Sequence, residues 1–362
     1  MFIPGRELSR GFFFDAAKLI LDARFPDLHY TAGLLGYGSD VLGYDDEVST
    51  DHMWGPRFYL FLSEEDLLLC PALLDAFSRE LPRTYRGYSV NFSGSPKEDG
   101  ILAMEAAQGT KVRPLIFIET IDGYLRREIG TADTTHLTPA RWLSIAEQRL
   151  LSLARADLYR DDLSLAERLA PLSYYPDEVR LYLIASNWSI VASEQAFSRR
   201  CSQRGDELGS RIICARIVER LMRLCFLYCG EYAPYSKWFG TAFARLPVSA
   251  EIKAALHGAL SAQDGAARED CLVQAQALLA EMHNASGLTP PVAYEIENYF
   301  TRDIKVIFAD KFAAATAARL AGTPLAELPL FGAISDFGGL CEAADRPEAQ
   351  AKLMELYNPL TK

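Results

Sequence analysis

Residues Gly36–Leu62 read GYGSDVLGYDDEVSTDHMWGPRFYLFL, and the fold turns on how this stretch is read. Tyr30–Leu35 before it and Phe58–Leu62 at its end are apolar runs of the kind that form buried strands. Between them come a small-residue turn, Gly38-Ser39, an acidic loop, Asp45-Asp46-Glu47, and then Ser49-Thr50-Asp51, which reads as the entry to the second strand.

Glycine adds no Cβ, so backbone N–H groups in a Gly-Ser turn can come close to phosphate oxygens. Carboxylates a few residues later suit Mg²⁺, which takes oxygen ligands and shares them with phosphates. On a strand, Asp51 and Met53 share one face and His52 and Trp54 the other. Only Asp51 of the first pair is a carboxylate. Asp45 and Asp46 read either as auxiliary metal ligands or as a solvated loop. Arg57 reads as a phosphate clamp or as the partner of an acid in its own domain.

Gly38-Ser39, Gly43, Asp45, Ser49 and Asp51 resemble the nucleotidyltransferase signature of the DNA polymerase beta superfamily, in which a Gly-Ser turn precedes an Asp-x-Asp pair. The longer GSDVLGYDDEVSTDHMWGPR resembles one branch of it, the family DUF4037. Asp206-Glu207-Leu208-Gly209-Ser210 and Ala233–Gly240 (APYSKWFG) extend the likeness along the chain. The branch has Asp-His-Asp-Trp-Gly-Pro-Arg where this chain has Asp51-His52-Met53-Trp54-Gly55-Pro56-Arg57, so the second metal aspartate is replaced by Met53. The resemblance implies an α+β protein in which a nucleotidyltransferase-like mixed sheet with flanking helices is followed by an all-α helical bundle. It also implies transfer of NMP from a nucleoside triphosphate, ATP first, to a small-molecule or protein acceptor with Mg²⁺ or Mn²⁺, impaired by Met53. The alternative is a catalytically degenerate nucleotide- or partner-binding protein of the same fold. Asp51 is then the main metal ligand and catalytic residue, and Gly38 and Ser39 hold the triphosphate.

The 362 residues are 49% hydrophobic and 23% charged, an ordinary globular composition with room for two domains. A net charge of -11 argues against general binding to nucleic-acid backbones. No apolar run is long enough to span a bilayer, and the start lacks the pattern of a signal peptide, so a cytoplasmic location is expected. Seven cysteines without a CxxC pair read as reduced core thiols, and the five histidines form no metal-spaced cluster.

Along the chain, Glu7–Ala23 and Leu67–Leu81 have helical spacing, while Tyr88–Phe92 and Arg113–Thr120 read as strands. Glu119 ends the second of these strands on the face of Leu115 and Phe117. It is either the third carboxylate of the metal and catalytic site, with Asp122 behind it, or an acid leaving the sheet for solvent. From Pro139 the composition turns to Ala, Leu and Arg, placing a boundary between domains 1–138 and 139–362. Helices are expected over 139–158, 176–199, 207–232, 236–245, 249–262, 266–285, 290–300, 305–321 and 347–357. Tyr235 and Lys237 open one of them and read as nucleotide contacts, or as neighbours of core aromatics with Lys237 on the surface. Arg216, Arg220 and Arg223 recur on one helix face, where any buried one needs an anionic partner. Asp206 reads as a helix cap.

Overall fold

β1, Thr31–Leu34, is the strand on which the first sheet is built. In this computed structural model, which describes residues 2–50, 52–94, 102–107, 109–337 and 347–357, two units form. One contains the chain up to His136 together with Gln148–Ser173, and the other Leu137–Glu147 together with the chain from Tyr174.

In the first unit, α1 (Gly5–Phe12) runs through a π-helical turn, Phe13–Ala17, into α2 (Lys18–Arg24). The wider turn lets the consecutive Phe12 and Phe13 both face the core, where both are fully buried. Phe13 meets Phe58 edge-on at 5.3 Å, and Phe58 meets Phe77 of α4 (Cys70–Glu80) at 6.2 Å. After β1 come the short helix α3 (Ser39–Leu42) and β2 (Arg57–Phe61).

Two small ribbons follow, β3 (Thr84–Tyr85) with β4 (Tyr88–Ser89) and β5 (Phe92–Gly94) with β6 (Leu102–Met104). Tyr88–Phe92 is therefore two strand ends and not one strand. The Asn91 side chain accepts the Arg113 N–H at 2.9 Å and bends the chain between them. β7 (Leu115–Glu119) lies parallel to β2, and α5 (Ile121–Ile129) starts at a Thr120 cap that accepts the Gly123 N–H.

The segment 139–158 is not one helix. Thr138 caps α6 (Pro139–Ser144), Ile145 is extended, α7 (Glu147–Ala154) follows, and β8 (Asp157–Asp161) then pairs antiparallel with β1. Asp157-Leu158-Tyr159-Arg160-Asp161 is half-buried throughout, with charged residues at both ends guarding the sheet edge. The sheet is mixed, in the order β7-β2-β1-β8. Asp161 ties β8 to its surroundings, accepting from Thr31 Oγ1 at 2.8 Å and from the N–H groups of Leu165 and Ala166, which open α8 (Leu165–Leu169).

The second unit is mostly helical: α9 (Asp177–Glu194), α10 (Phe197–Ser202), α11 (Glu207–Cys229), α12 (Ser236–Arg245), α13 (Ala250–Ser261), α14 (Gly265–Ser286), α15 (Asp310–Ala318), α16 (Ile334–Phe337) and α17 (Pro347–Leu353). Asp206, Ser249 and Asp264 cap the starts of α11, α13 and α14. Residues 290–300 are not helical: the Asn284 side chain accepts the Val292 N–H at 2.8 Å and donates to the Val292 carbonyl at 3.0 Å, taking both of its backbone groups away from a helix. That stretch ends instead in β9 (Glu297–Asn298), which pairs with β10 (Lys305–Val306), so the helix expected over 305–321 starts late, at Asp310. In the core, Trp188 stacks on Phe312 at 4.9 Å and donates to Tyr228, whose hydroxyl meets His283 Nδ1 at 2.8 Å. Burial holds the His283 imidazole down to about 4.

Candidate functional site

The turn between β1 and α3 is fixed from below by one guanidinium. Arg57, 1% exposed, donates through Nε to Asp40 Oδ2 at 3.0 Å and through its terminal nitrogens to Asp40 Oδ1 at 2.8 Å, the Tyr37 carbonyl at 2.7 Å and the Leu35 carbonyl at 3.4 Å. Asp40 itself is fully buried. Gly38 crosses over this pair at φ +144°, and a Cβ there would stand 2.0 Å from Asp40 Oδ1 and 2.7 Å from an Arg57 nitrogen. The glycine is required by the ion pair beneath it.

Three more arginines reach the same segment. Arg6 donates to the Val41 carbonyl at 2.6 Å and to the Arg155 carbonyl. Arg155 donates to the Leu42 carbonyl at 2.7 Å and lies over the Tyr44 ring, capping the end of α3. Arg149 stands 4.4 Å from the Tyr37 ring centroid and pairs with the buried Glu128. Tyr124, deep in the core, accepts the Gly36 N–H at 3.1 Å. Arg6, Asp40, Arg149 and Arg155 were not singled out in the sequence. Asp40 follows Ser39 directly, but Arg149 and Arg155 carry no local signal, since they approach from more than a hundred residues away.

The acids of the loop are engaged in the fold. Asp45 Oδ2 accepts from the Gly5 N–H at 2.6 Å and from Trp54 Nε1 at 2.9 Å, holding the start of α1 against a tryptophan that also stacks on Phe2. Asp46 Oδ1 accepts from the N–H groups of Val48 and Ser49 and from Ser49 Oγ, a local turn. Asp51 lies outside the described residues. His52 and Met53 are not on a strand, since β2 begins only at Arg57. Met53 sits at φ +46° with its N–H bonded to the Leu102 carbonyl at 2.9 Å.

Glu119 is not brought to the turn. Strand register sets Arg57 opposite Leu115 and Phe61 opposite Glu119, so Glu119 stands at the other end of the sheet, about 13 Å along the strand from the Arg57 row. There Arg127 holds it through two bonds, at 2.6 and 2.9 Å. Asp122, the second candidate, pairs with Arg126 and Arg168. Among the described residues no group of three or more His, Cys, Asp or Glu is placed to hold a metal ion.

In the second unit, Tyr235 directly precedes α12, and Lys237 Nζ lies 4.9 Å from the centroid of the buried Trp238. Nearby, Glu147 accepts the Ala233 N–H at 2.9 Å and pairs with Arg223 at 3.3 Å. Arg223 also faces Asp336 at 3.6 Å and Glu219 at 3.2 Å, and Asp336 pairs with Arg220. Arg220 and Arg223 are thus part-buried and neutralised, while Arg216 lies at the surface against Glu194. Burial pushes the Glu147 carboxyl up to about 7, against the opposing pull of Arg223.

Residues 142–239 match DUF4037. That family is described as a domain of unknown function. The DUF4037 match takes in Glu147, the capping segment at Asp206, the paired arginines of α11 and the 233–239 segment, and it leaves out Gly36–Leu62. The chain is also similar to a solved structure, a nucleotidyltransferase-like protein from Exiguobacterium sibiricum 255-15, with 10% identity and a TM-score of 0.33 over 81% of this chain and 97% of that one. No curated protein matches the chain. Among the described residues no helix is long and apolar enough to cross a membrane.

Proposed function

We propose that this chain is a nucleotidyltransferase-like protein that binds a nucleotide, ATP first, at the Gly36–Ser39 turn and transfers NMP slowly or not at all. The observation that carries the binding half is the turn itself, with Gly38 at its crest at φ +144° over the Arg57–Asp40 pair and with Arg6 and Arg155 donating to the Val41 and Leu42 carbonyls that follow it. Asp40 neutralises Arg57 and Glu128 neutralises Arg149, so the reading rests on the glycine, which lets phosphate oxygens approach the backbone. Ser39, partly exposed at the start of α3, is the side chain that meets them.

The impaired half rests on the acids. Asp45 and Asp46 already accept two and three hydrogen bonds, Glu119 is paired at the far end of the sheet, and a thioether stands at Met53. Mg²⁺ is a hard ion that takes oxygen ligands, and a thioether is a soft one. Asp51 remains the carboxylate nearest to the role. The acceptor, if any, is a small molecule or a protein.

The test is calorimetric titration of the four common ribonucleotides, with and without Mg²⁺ or Mn²⁺, followed by mass spectrometry for NMP transfer to a metabolite pool. Binding without appreciable transfer is expected. No heat and no thermal stabilisation at millimolar nucleotide would sink the binding half. Rapid turnover would sink the other.

A further inference from the structure

The second unit holds a small cavity of about 10 Å³, the space that a single water molecule needs. Polar side chains from separate parts of the chain meet around it. Glu147 comes from the junction of α6 and α7, Asn187 from α9, Arg223 from α11 and Asp336 from α16.

Asn187 makes this more than a gap in the packing. It is 2% exposed, and its own helix orients its amide, because Nδ2 donates to the Leu183 carbonyl at 2.9 Å. Oδ1, on the other side of the amide, has no partner among the described residues. An amide oxygen left unbonded in a core is costly, and nearly all such atoms are satisfied by protein or by ordered water.

The charged neighbours decide what can supply the donor. Arg223 pairs with Glu147 at 3.3 Å and faces Asp336 at 3.6 Å, and Arg220 holds Asp336 as well. Glu219, a third acid on Arg223, is half-exposed and outside the lining. Two carboxylates and two guanidiniums are thus matched here. A cation in the cavity would meet Arg223 and an anion would meet Glu147 and Asp336, and either would bring an unmatched charge out of water. Water is neutral and small enough, and it both donates and accepts. It can give one proton to Asn187 Oδ1 and the other to a carboxylate while accepting from Arg223.

We infer that one ordered water occupies this cavity, donating to Asn187 Oδ1 and bridging it to the cluster of Glu147, Arg223 and Asp336. Among the described residues the Asn187 side chain makes no hydrogen bond outside its own helix. The water is therefore the polar joint between the middle of α9 and the three segments that carry the ion pairs. This inference stands apart from nucleotide binding at the Gly36–Ser39 turn.

The experiment is a crystal structure of the full chain, with oxygen-17 relaxation dispersion in solution as an independent count of long-lived waters. The native protein should show one density peak at hydrogen-bond distance from Asn187 Oδ1 and from at least one of Glu147, Arg223 and Asp336. Asn187→Leu, close in size but without the acceptor, should lose the peak, and its dispersion amplitude should fall by the share of about one water. If that variant does not fold, the native density decides alone. No peak in the native cavity, or an anomalous signal there after rubidium or bromide soaking, overturns the assignment. Equal dispersion in the native protein and a folded Asn187→Leu overturns it too.

Discussion

Arg57 and Asp40 form a two-bond ion pair with virtually no solvent contact, and the backbone of Gly38 passes directly over it. An arginine that reads from the sequence as a phosphate clamp is, in the fold, the internal support of the turn. Its guanidinium is occupied by one carboxylate and two carbonyls.

Removing one partner of such a pair leaves the other charged and buried. Asp40→Ala is expected to lower unfolding free energy by about 3–5 kcal/mol. Urea denaturation measures this, and a loss below about 1 kcal/mol would show that Arg57 finds another anion. Gly38→Ala should be destabilising for a steric reason alone, since its Cβ has no room above the pair.

Met53 offers a sharper test, because its φ of +46° is tolerated by Asp, Asn and Gly better than by Met. Met53→Asp and Met53→Asn should both fold at least as stably as the native chain. Met53→Asp alone is expected to raise NMP transfer, by about a hundredfold if it restores an electrostatic contribution of the usual size. Equal transfer in the two variants would mean that position 53 has no part in the chemistry.

Glu119→Gln should change little. The Glu119–Arg127 pair is part-exposed, so its loss is expected to cost under about 1 kcal/mol, and ATP affinity should stay within about twofold. A loss of metal-dependent nucleotide binding in this variant would return Glu119 to the site.

Much of the first sheet was legible. The two strands around the Gly-Ser turn, the parallel strand ending at Glu119 and the opening helix all carry apolar runs or spacing that only one element satisfies. β8 was not legible, because Asp157-Leu158-Tyr159-Arg160-Asp161 has too few apolar residues to outweigh the helical stretch before it. Its stability comes from pairing with β1 and from Tyr159 packing on Phe13 at 5.3 Å. At the turn, Gly38 and Ser39 could be read locally. The roles of Arg6, Arg149 and Arg155 could not, because they depend on contacts far apart in the chain. Glu119 misled for a related reason: residue type and strand end were visible, but register decides which end of the sheet a residue occupies.

Glu147 gives a pH signature. Its folded carboxyl titrates near 7, above the usual carboxylate range, so between about pH 4.5 and 7 the native state holds a proton that the unfolded chain releases. This contribution is fully present at low pH and is lost as pH rises through 7. The native protein should therefore lose on the order of 3 kcal/mol from this group between pH 4.5 and pH 8. Glu147→Gln should remove that slope. Parallel denaturation curves for both proteins across this range check the sign, and a slope unchanged in the variant would assign the titration elsewhere.

The fourth strand of the sheet has a consequence during synthesis. Thr31 and Asp161, which meet across β1 and β8, are separated by 130 residues. At ordinary translation rates that interval lasts on the order of ten seconds. Throughout it β1 has a bare edge on that side, open to pairing with a strand of another nascent chain. The strand that finally closes the edge, β8, arrives only after α6 and α7 have been made. Yield from crowded polysomes should accordingly depend on how quickly the ribosome reaches Asp161, and slow codons between residues 130 and 160 would be expected to lower it.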